Sequence, residues 1–73
     1  MNMNLPDIEL VAAEVHFAWM ASKLRSGVMS RKAEDGEELM VHYDELSERA
    51  KDLDRSSVKA VYAAIASCAT AAV

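Results

Sequence analysis

One predicted helix near the N-terminus is apolar on two opposite faces, and this feature limits what the chain can fold into. Pro6 at a first helical position, with Asp7 and Glu9 in the opening turn, indicates its start, and Gly27 after Ser26 indicates its end. At about 100° per residue the apolar side chains divide into two groups. One face carries Ile8, Val11, Ala12, Val15, Ala18, Trp19 and Ser22, and the nearly opposite face carries Leu10, Ala13, Phe17, Met20 and Leu24.

A helix that is apolar on two faces has to be covered twice. A second long helix of the same chain can cover the first face. The second face, with Leu10, Phe17, Met20 and Leu24, is covered either by the segment 28–41 or by a second copy of the chain. The second copy is favoured, because exposed patches of this kind usually mark association surfaces. The sequence therefore predicts a homodimer or a larger symmetric homo-oligomer with these four residues at its interface.

The second long helix is predicted from about Glu48 to Ala71, after the N-cap residue Ser47. A kink or a break is indicated at Asp54–Ser57, and Cys68 lies on an apolar stripe, as expected of a small core residue. The uncharged, alanine-rich residues 60–73 are interpreted either as a second subunit contact or as a frayed terminus.

The middle of the chain is predicted to be a loop or a weak hairpin. Asp35-Gly36 favours a tight turn, and Val28-Met29 can pair with Leu39–Val41 as two short antiparallel strands. We therefore expect a mainly α fold with two long helices packed antiparallel and a loop or minimal β-hairpin between them. Residues 1–73 form one domain in this interpretation, with the core in 7–70.

Composition excludes several classes of function. The net charge of −4 argues against a protein that binds a nucleic-acid backbone, which needs a clustered basic surface. The single cysteine cannot form an internal disulfide, and the chain has neither a signal peptide nor an apolar run of membrane-spanning length. A cytoplasmic location without membrane association is expected.

No catalytic site is indicated by the sequence. His16, His42 and Cys68 lack the short paired spacing of a zinc site, and the two glycines are too far apart for a phosphate-binding loop. The prediction is a protein that is not an enzyme and that carries no metal or cofactor.

A set of residues in a characteristic order spans most of the chain. It consists of His16-x-x-Trp19, then Gly27, then Tyr43-x-x-Leu46-Ser47-x-x-x-Lys51-x-x-Asp54-Arg55. The pattern resembles the RyR domain, the small repeat found in tandem in ryanodine receptors and alone or duplicated in many bacterial and phage proteins. The resemblance covers about residues 8–66. The chain departs from the family pattern at 28–31, where Val-Met-Ser-Arg replaces Trp-x-Tyr-Gly, and at His42, which replaces a proline.

The resemblance implies non-catalytic binding of a small nucleotide-derived ligand. Trp19 would stack on the base, Asp54 would accept from an exocyclic amine, and His16, Tyr43 and Arg55 match the same pattern. A twin repeat would supply the second wall of the pocket at a subunit interface. Such domains are expected near bacterial and phage defence systems that signal with nucleotides, as a sensor or as a sponge. The sponge is favoured because no effector domain is attached.

Each of these residues also has a structural interpretation. Trp19 is equally suited to core packing, and Tyr43 more often buries its ring and anchors a turn. Arg55 either holds a ligand phosphate or forms a surface pair with Asp52. For His16 a structural hydrogen bond is favoured over a switch. The alternative function is a protein–protein interaction module with no small-molecule ligand, and a small hydrolase ranks third.

Overall fold

The computed structural model describes residues 4–71, with side chains up to residue 69. Two long α-helices, α1 (Ile8–Arg25) and α2 (Glu48–Ala71), are joined by a segment that contains one short 3₁₀ turn, Tyr43–Glu45. The predicted mainly α fold is confirmed, and α2 has the predicted bounds.

Both ends of α1 are defined by local hydrogen bonds. The Asp7 carboxylate accepts from the Glu9 amide at 3.2 Å, so Asp7 is the N-cap. The predicted first helical position at Pro6 is wrong, because the helix begins two residues later, at Ile8. After the helix, Gly27 has a φ of 80°. Its amide donates to the Leu24 carbonyl at 3.0 Å, and the Val28 amide donates to the Lys23 carbonyl at 2.9 Å. This pair of bonds is a Schellman motif, so Gly27 ends α1 as predicted.

α2 begins at the cap predicted from the sequence. The Ser47 hydroxyl accepts from the Ala50 amide at 3.1 Å and donates to the Glu37 carboxylate at 2.7 Å, and the Ser47 amide donates to the same carboxylate at 2.9 Å. The cap therefore fastens the connecting segment to α2. The helix continues through residues 54–57, so the break considered for the sequence does not form, and it remains helical to Ala71. The last two residues of the stretch 60–73 considered as a frayed end, 72 and 73, lie outside the described residues.

Three contacts show that α2 runs antiparallel to α1. The Tyr62 hydroxyl donates to the Pro6 carbonyl at 2.8 Å, Arg55 pairs with Glu9 at 2.7 Å, and Asp54 lies 3.6 Å from His16. Residues later in α1 thus contact residues earlier in α2, so the helices pack antiparallel, as predicted. The core between the helices is small and consists of the buried residues Ala12, Tyr43, Leu46, Ala50 and Val58, with Ile8, Val11, Ala13, Leu39, Val41 and Tyr62 packed against it.

The connecting segment is a loop, and the two strands considered for it do not form within residues 4–71. A single antiparallel bridge joins Lys32 to Glu38, and a turn closes where the Gly36 amide donates to the Ala33 carbonyl at 2.9 Å. The Glu38 carboxylate takes the place of further strand pairing, because it accepts from the Ser30 hydroxyl and from two backbone amides. These donors, led by Ser30, lower the pKa of Glu38 to about 2.

The loop leaves the second face of α1 largely uncovered. Leu10 is 67% exposed, Phe17 is 65% exposed and Leu24 is 49% exposed.

Cys68 is also exposed, so its predicted core position is wrong. The reason is length, because α2 has 24 residues and α1 has 18. Cys68 lies six positions after Tyr62, whose hydroxyl already bonds to the Pro6 carbonyl before α1 begins. Neither helix is both long and apolar enough to cross a membrane.

Replacement of the cap, Ser47→Ala, is expected to lower the free energy of unfolding by about 1–2 kcal/mol, because an orphan amide of α2 and the Glu37 carboxylate both lose a partner. Ser56→Ala is the matched control, since Ser56 is exposed in the middle of the same helix. Urea denaturation followed by circular dichroism measures both variants. Equal midpoints for the two variants would contradict a capping role.

Candidate functional site

An open cleft lies between α1, α2 and the residues that precede α2. Its volume is about 170 Å³. It is lined by Val15, His16, Trp19, Leu39, Leu46, Ala50, Leu53 and Asp54. Three of the five residues predicted to bind a ligand, His16, Trp19 and Asp54, are thus brought to one cleft.

His16 is held by partners from two other parts of the chain. Its side chain is 4% exposed. The Nε2 atom lies 2.8 Å from the Val41 carbonyl oxygen, which can only accept, so Nε2 carries a proton and donates. The Nδ1 atom then faces Asp54 Oδ2 at 3.6 Å. His16 therefore connects α1 both to the connecting segment and to α2, which is the structural role favoured for it from the sequence.

Asp54 lies on α2 and is the one acidic residue in the lining of the cleft. Its side chain is partly buried beside His16, and burial raises the pKa of the carboxyl group while the nearby His16 opposes that rise. A carboxylate in this position keeps acceptor capacity for a ligand, because none of the hydrogen bonds among residues 4–69 ends on it and part of its surface is removed from water.

Trp19 is half-buried and forms one wall of the cleft. Its ring centroid lies 5.6 Å from that of His16, with 31° between the ring planes. The indole is thus positioned by the fixed imidazole and is not sealed in the core. Both of its predicted roles, packing and ligand stacking, are compatible with this position.

Tyr43 and Arg55 lie outside the cleft, in a polar cluster centred on Glu9. The buried Tyr43 donates its hydroxyl to Glu9 Oε1 at 3.0 Å. Arg55 donates to both Glu9 oxygens, at 2.7 and 2.9 Å, and to Asp52 at 2.7 Å and Glu48 at 3.2 Å. Tyr43 thus anchors the 3₁₀ turn and Arg55 forms the surface pair with Asp52, so the donors of both side chains already have protein partners.

Glu9 and the apolar lining of the cleft were not among the predicted site residues. Glu9 and Arg55 are 46 positions apart, so no local spacing connects them. Leu46, Ala50 and Leu53 recur at helical spacing in the sequence, which was a usable signal for part of the cleft lining.

The described residues contain no group of three or more His, Cys, Asp or Glu side chains placed to hold a metal ion. Comparison of the chain with protein-family models, with curated proteins and with solved structures found no match.

Removal of the Glu9 carboxylate is expected to change how stability depends on pH. The hydrogen bond from Arg55, assisted by Tyr43, lowers the pKa of Glu9 from 4.5 to about 2. A lowered pKa stabilises the fold above about pH 4.5, and this contribution disappears as the pH falls toward 2. Glu9→Gln should therefore be less stable than the natural chain at pH 7 and equally stable near pH 2.

Urea midpoints measured at intervals from pH 2 to pH 7 test this expectation, with Glu34→Gln as control because Glu34 is exposed. A constant difference between Glu9→Gln and the natural chain over this range would show that the ion pair is not the cause.

Proposed function

We propose that this protein binds a small, planar, nucleotide-derived ligand in the Trp19 cleft and does not turn it over. The observation that carries the proposal is the arrangement of the Trp19 indole and the Asp54 carboxylate in the lining of one open cleft. The resemblance to the RyR domain supports the class of ligand, because three of the residues that match its pattern, His16, Trp19 and Asp54, line the cleft.

The chemistry of the lining suits a nucleobase. An aromatic side chain stacks on a base with a gain of roughly 1–3 kcal/mol. Asp54 can accept from an exocyclic amine, and a hydrogen bond to a charged group contributes about 1.5–3 kcal/mol. The volume of about 170 Å³ lies below that of pockets for drug-sized molecules, so the cleft would hold the base and leave sugar and phosphate outside.

Binding without turnover is supported by what the lining residues can do. The lining contains no serine, threonine, cysteine or lysine, so His16 and Asp54 are its only ionisable side chains. The His16 imidazole is buried and its Nε2 donates to the Val41 carbonyl, so little of the ring is exposed to a ligand for proton transfer.

The cleft is open on one side, where Leu53 is 65% exposed and Val15 is 42% exposed. A second copy placed over these residues would supply the missing wall, which gives a ligand site at the interface of a homo-oligomer. We propose that a cytoplasmic protein of this kind sequesters or senses a nucleotide signal in bacterial or phage defence, and that sequestration is the favoured role.

A protein–protein interaction module is the second candidate function. The exposed positions of Leu10, Phe17 and Leu24 on α1 favour it, since a contiguous apolar face on a small domain commonly binds another protein. In this case Trp19 serves only in packing. A helical partner captured through α1, together with no response to nucleotides, would select this alternative.

Titration with adenine, adenine nucleotides and cyclic dinucleotides is expected to quench the fluorescence of Trp19, because stacking brings the base against the indole. The signal has one source, since Trp19 is the only tryptophan. Lack of quenching by every nucleotide in a broad panel would contradict the proposal. Chromatography of the ligand after incubation tests turnover, and conversion to a product would indicate an enzyme.

Asp54→Asn is expected to weaken binding of the best ligand by roughly 10- to 100-fold, because the amide loses the charge of the acceptor. Asp44→Asn is the control, since the Asp44 side chain is 85% exposed and does not line the cleft. Isothermal titration calorimetry measures the dissociation constants. Similar losses in both variants would mean that the carboxylate at position 54 does not contact the ligand.

A further inference from the structure

One face of α1 has the spacing of a coiled-coil seam, with Leu10, Phe17 and Leu24 exposed and Ala13 and Met20 partly buried. Its residues follow one another at intervals of three, four, three and four. This pattern places an apolar stripe along one side of a helix, for contact with a second helix. We call this stripe the α1 seam, and it consists of Leu10, Ala13, Phe17, Met20 and Leu24.

We propose that two copies of this chain pair antiparallel along the α1 seam, about a two-fold axis near Phe17. Phe17 lies at the middle of α1 (Ile8–Arg25), so full overlap of two antiparallel helices puts Phe17 beside Phe17 of the second copy. Leu10 of each copy then meets Leu24 of the other. The seam is thus complementary to itself under a two-fold axis, as an isologous interface requires.

The charges beside the seam favour the antiparallel orientation. Glu9 and Lys23 lie on the same edge of the seam, and same edges meet when two helices run antiparallel. Each Glu9 would then approach Lys23 of the second copy, twice in the dimer. In a parallel, in-register pair, Glu9 would instead face Glu14, which places like charges together.

The ends of α1 extend this complementarity. The surface near the start of α1 is acidic, because three carboxylates there contact only two cations. The carboxylates are those of Glu9, Glu48 and Asp52, and the cations are Arg55 and Lys51. At the end of α1, Lys23 and Arg25 form no ion pair within residues 4–71. An antiparallel copy therefore brings an acidic end to each basic end.

A hollow beside Phe17 offers space for the side chain at the centre of the contact. Its volume is about 240 Å³. It is lined by Ala13, Glu14, His16, Phe17, Met20, His42 and Tyr43. The Phe17 ring of the second copy would enter this hollow, and the two-fold axis repeats the insertion on the other side. A large aromatic side chain that fills an apolar pocket at the centre of an interface commonly dominates its affinity.

This pairing does not depend on the proposed ligand. Trp19 and Phe17 are about 200° apart around α1, so the cleft faces α2 while the seam faces away from it. Two copies joined at the seam keep both clefts on the outside of the dimer. A second wall for the cleft would have to come from a further contact.

Light scattering of the full chain after gel filtration tests the contact. The natural chain is expected to have twice the mass of one chain, which is 8.0 kDa. Phe17→Asp should lower the mass twofold, since it places two carboxylates next to each other at the axis and removes the two rings. Val61→Asp is the matched control, as Val61 is an exposed apolar residue of α2 outside the seam.

Circular dichroism establishes that both variants keep their helices, which is expected because both side chains are more than half exposed. A natural chain that is monomeric at high micromolar concentration would overturn the proposal and leave the seam to a helix of another protein. A Phe17→Asp chain that stays dimeric would overturn it as well.

Cysteine cross-linking tests the orientation in a Cys68→Ser background, which has no other thiol. Leu10→Cys and Leu24→Cys chains, mixed and oxidised, should form disulfide-linked dimers at least tenfold faster than either chain alone. In the antiparallel pair the two Leu10 positions are about 21 Å apart along the axis, which is beyond disulfide reach. Faster cross-linking of Leu10→Cys chains with one another would show a parallel pair and overturn the proposal.

Discussion

The rest of this structure depends on one buried polar side chain, that of His16. It lies on α1, donates to the Val41 carbonyl in the connecting segment and faces the Asp54 carboxylate on α2. A buried polar group is costly unless both of its polar atoms have partners, so the imidazole specifies where the other two elements must lie. The same contacts set the position of Trp19 beside the imidazole and of Asp54 across from it, which together define the cleft.

Polar contacts matter here because the apolar core is small. Only five apolar residues are buried in the part of the chain that the structure describes, and two of them are alanines. The chain compensates with side-chain hydrogen bonds that join distant segments. Glu9 receives Tyr43 and Arg55, Glu37 receives the cap of α2, and Glu38 closes the loop. Carboxylates thus do much of the connecting that strands and large apolar residues do in larger domains.

The two apolar faces of α1 have two different proposed roles, ligand binding and self-association. The face toward α2 supplies the small core and the wall of a ligand cleft, whereas the opposite face supplies the α1 seam for a second copy. One helix of 18 residues can serve both, since its apolar residues follow two stripes and its polar residues lie between them. In the proposed dimer, a ligand would reach the cleft as it does in a single chain, because the seam does not cover the cleft.

The bounds of the helices and the antiparallel direction of their packing could largely be predicted from the sequence itself. Ser47 begins α2 and Gly27 ends α1 through hydrogen bonds to residues only a few positions away. The apolar faces of α1 are visible in the sequence because helix geometry fixes the spacing of residues that share a face. The resemblance also selected Trp19, His16 and Asp54, which the fold brings to one cleft. The sequence showed the second apolar face of α1 as well, although not whether the loop would cover it.

Only the tertiary structure decided which polar groups meet across long distances in the chain. The partners of Glu9 are 34 and 46 positions away, and the acceptor of His16 is 25 positions away. Such pairs depend on how the helices align, and no local spacing encodes that alignment. The alignment places Tyr43 and Arg55 in the Glu9 cluster and not in the cleft. It also leaves Cys68 exposed, near the end of α2. Interactions between neighbouring residues determined where the helices form, and the alignment of the packed helices determined which of their side chains share a site.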